Sequence, residues 1–94
     1  MRFYLKATKP FIKKYKKLVK GNLALKKQIG IALDILRDNP QEPKLKSHKV
    51  STSQFGQVWS IRITRDIRIL WNYDKDSQLL LLLLDIGGHD NVYR

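Results

Sequence analysis

Residues 59–94 read WSIRITRDIRILWNYDKDSQLLLLLLDIGGHDNVYR. In WSIRIT the apolar Trp59, Ile61 and Ile63 alternate with Ser60, Arg62 and Thr64, and in IRILWNY Ile67, Ile69, Trp71 and Tyr73 alternate with Arg68, Leu70 and Asn72. A period of two is a strand signature, because successive side chains leave opposite faces of a pleated backbone. Arg65–Asp66 and Asp74–Asp76 supply tight reversals, and connections this short make the meander antiparallel. The leucine run from Leu79, continued to Ile86, has no alternation. It predicts a strand buried on both faces, central in its sheet.

Upstream the period changes. Phe3, Tyr4 and Leu5 make a short strand, after which Thr8 caps a helix opened by Lys9 and Pro10. Phe11, Ile12, Tyr15, Leu18 and Val19 form its apolar stripe, while Lys13, Lys14, Lys16, Lys17 and Lys20 take the remaining surface. Gly21 ends it and Asn22 caps a second helix, with Leu25, Ile29, Ala32, Leu33 and Leu36 at core spacing and Pro40 as its stop near Asn39. The polar QEPKLKSHKVSTSQFG that follows predicts a short strand near Leu45 and then a mobile loop. Helices segregated from a run of strands make an α+β fold of order β-α-α-β-β-β(-β), with the helical pair on one face of a small twisted antiparallel sheet. The other face is left for function, carrying Arg62 and Arg68, with the loop from Lys46 to Lys49 and the C-terminal tail at its rim. A slip of one residue in register would reverse that placement.

At 94 residues, residues 1–94 are expected to form a single domain. The chain has no cysteine, which excludes a disulfide framework and a thiolate metal site and suits a reducing cytoplasm. MRFYLKATKPF lacks the apolar core of a secretory signal, and the leucine run falls far short of the roughly 20 residues of a membrane helix. A soluble protein with no membrane role is expected. Nineteen Lys and Arg against eight Asp and Glu leave a net charge of +11. The expected partner is an anion, either nucleic acid through phosphate neutralisation or an acidic protein.

No glycine-rich phosphate loop, nucleophile elbow or metal-ligand spacing occurs, so neither a metal ion nor another cofactor is expected. What remains is a set of cations with His48, His89, Asp66 and Tyr93. Such a set can cleave RNA without metal: the ribose 2′-hydroxyl attacks its own phosphate and the 5′-oxygen departs. One group takes the hydroxyl proton, another protonates the leaving oxygen, and fixed positive charge stabilises the phosphorane. Histidine serves either proton role and the planar arginine fork grips phosphate oxygens. An aromatic such as Tyr93 holds an unstacked base. Each residue also has a plainer reading: a solvated terminal histidine, surface arginines paired with acids, a helix of solubilising lysines, an aspartate that only turns the chain. Gly87 and Gly88 are expected to let the chain turn sharply after the last strand, presenting His89 and Tyr93 at the sheet's edge.

Taken with TKPFIKKYKKL, the second helix ending in NP, KLKSHK and the terminal G-H-D-x-V-Y, this C-terminal stretch resembles the RelE/ParE superfamily of bacterial toxins, and within it the RelE-type and YafQ-type mRNA interferases. The resemblance implies a microbial-ribonuclease-like fold that enters the ribosomal A site and cuts mRNA there without a metal, held inactive by a cognate antitoxin. It casts His89 as a proton-transfer group, Tyr93 as the aromatic at the base or reacting phosphate, Arg62 as the strand cation and Asp66 as an acidic turn residue of the site. Lys46 and Lys49 resemble basic residues that face the phosphate, with Arg65 and Arg68 as further cations. Lys13, Lys16, Lys17 and Lys20 would rest on 16S ribosomal RNA. His48 stands off the family's additional histidines; were it outside the site, the second proton role would fall to Lys46, Lys49 or Asp66. The common tail has Thr where Gly88 stands and Glu where Asn91 stands. A ParE-like branch shares the fold and inhibits DNA gyrase without cutting RNA, and that alternative stays open, as does an inert relic that only binds RNA or antitoxin.

Overall fold

A computed structural model describes residues 2–93. β1 (Tyr4–Ala7) leads into α1 (Lys9–Val19) and α2 (Leu23–Asp38); β2 (His48–Thr52), β3 (Gly56–Arg62), β4 (Ile67–Tyr73) and β5 (Leu80–Gly88) follow, and α3 (His89–Val92) ends the described chain. Thr8 caps α1 by accepting from the Phe11 N–H at 3.4 Å, and its hydroxyl donates to the Leu83 carbonyl at 2.9 Å, which seats the helix start on β5. Gly21 takes the left-handed φ of 70° that ends α1, and Asn22 caps α2 through the Leu25 N–H at 3.1 Å. Among the described residues no helix is long and apolar enough to cross a membrane.

The five strands lie in the order β1-β5-β4-β3-β2. β3 to β5 form the antiparallel meander read from the sequence, with Trp59 opposite Trp71, Ile61 opposite Ile69 and Arg62 opposite Arg68, and β2 adds antiparallel to β3. β1 departs from an all-antiparallel sheet: it runs parallel to β5, Tyr4 beside Leu80 through Ala7 beside Leu83, so the sheet is mixed. The helical pair between β1 and the meander allows this, since parallel neighbours need a long crossover. β5 is thereby central, as its unbroken apolar run requires.

Two clusters share the sheet. Phe11, Leu25, Ile29, Ala32 and Leu36 from the helices pack on Ile61, Ile69, Trp71, Leu81, Leu83 and Ile86. The other face holds a smaller cluster, Val58, Leu70 and Val92, with Val50, Phe55, Leu84 and Tyr93 against it. The tail therefore folds back across the helix-free face. A bulge opposite Leu70 sets Leu84 and Asp85 against one residue of β4. The buried Asp85 carboxylate accepts from Lys14 Nζ at 2.7 Å and from the Ile86 N–H at 2.9 Å, tying α1 to the last turn of β5.

The segment before β2 differs from its sequence reading. Around Leu45 the chain makes a 3₁₀ turn (Pro43–Leu45) in place of a short strand, closed by Lys46 with a φ of 51°. Pro43 has no N–H for a ladder, whereas the turn lets Leu45 bury its side chain. Beyond it stands the regular edge strand β2, in place of a mobile loop. Its polar sequence HKVST hides a register set by β3, from His48 opposite Ser60 to Thr52 opposite Gly56.

Candidate active site

On the face away from α1 and α2, alternation in β3 directs Val58 and Ser60 outward, and Arg62 closes the strand. Pairing places His48 of β2 and Leu70 of β4 on either side of Ser60, and Arg68 beside Arg62 one step further along. The tail lands on this row. Val92 is buried with Val58 and Leu70, and the Tyr93 hydroxyl is hydrogen-bonded to the Ser60 hydroxyl. The Tyr93 ring meets two imidazoles: His89 edge-on with centroids 4.4 Å apart at 84°, and His48 at 6.5 Å and 69°. Two histidines 41 positions apart in the chain (89 less 48) thus both contact a single phenol ring.

The nitrogens are differentiated by their partners. His48 Nδ1 is 3.0 Å from the Lys46 carbonyl oxygen, which the left-handed conformation of Lys46 brings back toward the ring. A carbonyl only accepts, so in the neutral ring that contact calls for the proton on Nδ1 and the lone pair on Nε2. His89 Nδ1 faces the Asp90 carboxylate at 3.4 Å, which likewise favours a proton on Nδ1 and becomes an ion pair when the ring is charged. Both histidines are exposed, so a substrate can reach their other nitrogens.

The remaining cast separates. Arg62 is exposed at the end of β3, its Nε 3.4 Å from the Thr64 carbonyl oxygen, and it lines a groove of about 220 Å³ with Ile31, Ala32 and Ile35 of α2. Arg68 is committed to the hairpin, donating through Nη1 to the Thr64 and Ile67 carbonyls at 2.8 and 3.2 Å. Arg65 is exposed in the turn between them, and Lys46 is exposed immediately before the site strand. Asp66 serves the tail: its carboxylate accepts from the His89 N–H at 3.3 Å. Lys49 departs from the phosphate-facing role. Its ammonium sits 5.5 Å over the Trp59 ring, on the helix side of the sheet, because adjacent strand residues take opposite faces. Lys13, Lys16, Lys17 and Lys20 are exposed on α1, which packs on that same helix side, so they stand apart from the Tyr93 face. Lys17 lines a groove of about 370 Å³ with Lys14, Leu18, Ile86, Gly87, Gly88 and Asn91.

Gly88 acts by size rather than by turning. Gly88 has an ordinary φ of −65°, and only Gly21 and Gly56 have positive φ among the described glycines. A Cβ on Gly88 would stand 3.0 Å from Asp66 Oδ2, so its absence lets the carboxylate close over the start of α3. Ser60, which the sequence reading left without a role, is the site's buried polar group. Its signal was present: a small hydroxyl following Val58 on the outward row. Among the described residues no group of three or more His, Asp or Glu side chains could hold a metal ion.

No protein-family model and no curated protein sequence matches the chain. Solved structures do. The YoeB/ParE toxin from Agrobacterium tumefaciens superposes with a TM-score of 0.76 at 17% identity, covering 93% of this chain and 99% of its own. YafQ from E. coli strain BL21(DE3) gives 0.75 at 15%, covering 99% and 100%. The toxin–antitoxin complex of E. coli DinJ and YafQ gives 0.74 at 14%, covering the whole of both chains. At these identities the likeness establishes the fold, a RelE/YafQ-like α+β fold with a mixed five-stranded sheet.

Proposed function

We propose that this chain is the toxin of a toxin–antitoxin pair and an endoribonuclease that cuts mRNA in the ribosomal A site. The observation that carries the reading is the Tyr93 ring in contact with both His48 and His89, with the exposed Arg62 at the end of the strand that holds Ser60. The Nε2 lone pair of His48 takes the proton of the ribose 2′-hydroxyl as its oxygen attacks phosphorus. His89 donates a proton to the 5′-oxygen as the P–O5′ bond breaks, leaving a 2′,3′-cyclic phosphate that water opens to a 3′-phosphate. Arg62 stabilises the charge gathered on the phosphorane, with Lys46 and Arg65 adding positive potential. Tyr93 packs against both imidazoles and offers its ring to the base. All these services come from side chains, so the reaction as proposed needs no metal ion.

The +11 charge suits an RNA-rich site of action, and the lysines of α1 would lie against 16S rRNA while the opposite face works on the mRNA. Action on translating ribosomes puts the protein in the cytoplasm. The DinJ–YafQ complex supports a protein antitoxin, acidic where it covers this chain. The test is a translation reaction on a defined mRNA. His48→Ala, His89→Ala and Arg62→Ala should each slow A-site cleavage by about 100-fold or more while the fold is retained. Parent-like cleavage by both histidine variants would refute the assignment. The ParE in one neighbour's name favours gyrase inhibition as a second reading, and a supercoiling assay on the same preparations separates the two.

A further inference from the structure

The geometry points to Ser60 as the residue that positions Tyr93 against the two histidines, an inference that rests on the nuclease reading of this site. Ser60 is 0% exposed, in the middle of β3, among Val58, Leu70 and Val92 on the outward side of the sheet. An apolar β-branched residue would suit such a place better, both as a strand former and as packing for its neighbours. A hydroxyl buried there needs a partner, and its partner is the Tyr93 hydroxyl, 33 positions away in the chain.

That bond has a geometric consequence. The Tyr93 ring is attached at both ends: its backbone N–H donates to the His89 carbonyl at 3.3 Å, closing α3, and its hydroxyl meets Ser60. Without the second attachment the ring keeps its packing on the Val58, Leu70 and Val92 cluster but loses the contact that fixes its hydroxyl end. Ser60 is also the residue directly opposite His48 across the β2–β3 ladder. One hydroxyl therefore sets Tyr93 relative to the strand that carries His48, while the α3 backbone sets it relative to His89. The spacing of the two imidazoles about a scissile ribose-phosphate link is established through Ser60, which itself touches no substrate.

The experiment measures single-turnover cleavage on programmed ribosomes for Ser60→Ala, Tyr93→Phe and the double variant. Each single substitution should lower the cleavage rate at saturating ribosome by about five- to tenfold, with half-saturation unchanged, because the lost hydroxyl contact orients groups rather than binding RNA. The double variant should be no slower than the slower single one. Losses that multiply, or a rise in half-saturation with the rate intact, would overturn the proposal. Nuclear magnetic resonance of the free protein provides the independent arm. In Ser60→Ala the Tyr93 amide should exchange faster and the ring resonances of His48 and His89 should both move. If the resonances move but the parent protein cuts no mRNA, the positioning holds and the nuclease reading falls. If cleavage is present but the tail and both rings are undisturbed, Ser60 is a packing residue and the inference is wrong.

Discussion

Lys14→Met should destabilise the protein far more than Asp85→Asn, although the two residues share one contact. The pair is lopsided: the Lys14 side chain is 49% exposed and that of Asp85 only 5%. Removing one partner of a fully buried pair costs about 3–5 kcal/mol, chiefly because a charge is left behind without compensation. Here the carboxylate keeps the Ile86 N–H at 2.9 Å and the lysine end is half in water, which brings the expected loss for Lys14→Met to about 2 kcal/mol. For a chain of this size that lowers the thermal midpoint by roughly 8–16 °C. Asp85→Asn keeps an oxygen for both donors and buries no charge, so it should cost less than about 1 kcal/mol. Combining the two should recover most of the Lys14→Met loss. Urea unfolding with an unchanged m-value is the appropriate assay. A double variant as unstable as Lys14→Met, or an Asp85→Asn loss equal to it, would refute the account of a buried charge held by one half-exposed lysine.

Two further outcomes follow from the site's geometry. Gly88→Ala should push the Asp66 carboxylate off the His89 N–H at a cost of under about 1 kcal/mol, and should be silent in an Asp66→Ala background, as read by thermal melts and exchange of the His89 amide. Arg62→Met should change stability by no more than about 0.5 kcal/mol yet lower A-site cleavage by about 100-fold. Arg68→Met should show the reverse emphasis, losing about 1 kcal/mol in urea because the Ile67 and Thr64 carbonyls forfeit its guanidinium.

Much of the fold is legible locally. Thr8 and Asn22 mark both helix starts, the hairpin from Trp59 to Tyr73 shows its alternation, and the leucine run identifies the central strand. The outward face of β3 follows from the same alternation, which turns Ser60 toward the tail. β2 was less legible because an edge strand packs little of its surface and HKVST carries only a single strongly apolar residue. The C-terminal histidine and tyrosine were visible as residue types, but the role of Gly88 was not, because its constraint comes from Asp66, 22 positions earlier (88 less 66).

From its amino-acid order alone this protein determined its caps, its turns, the two faces of each alternating strand and its surplus of positive charge, because those depend on neighbours a few residues away. Tertiary structure decided which strands adjoin and in what register: β1 parallel to β5, His48 opposite Ser60, Lys49 on the helix side with Trp59. A shift of one residue in a ladder exchanges the faces of every side chain in the strand. The meeting of His48, Ser60, Tyr93 and His89 is therefore a product of long-range pairing between segments whose local patterns carry no record of one another.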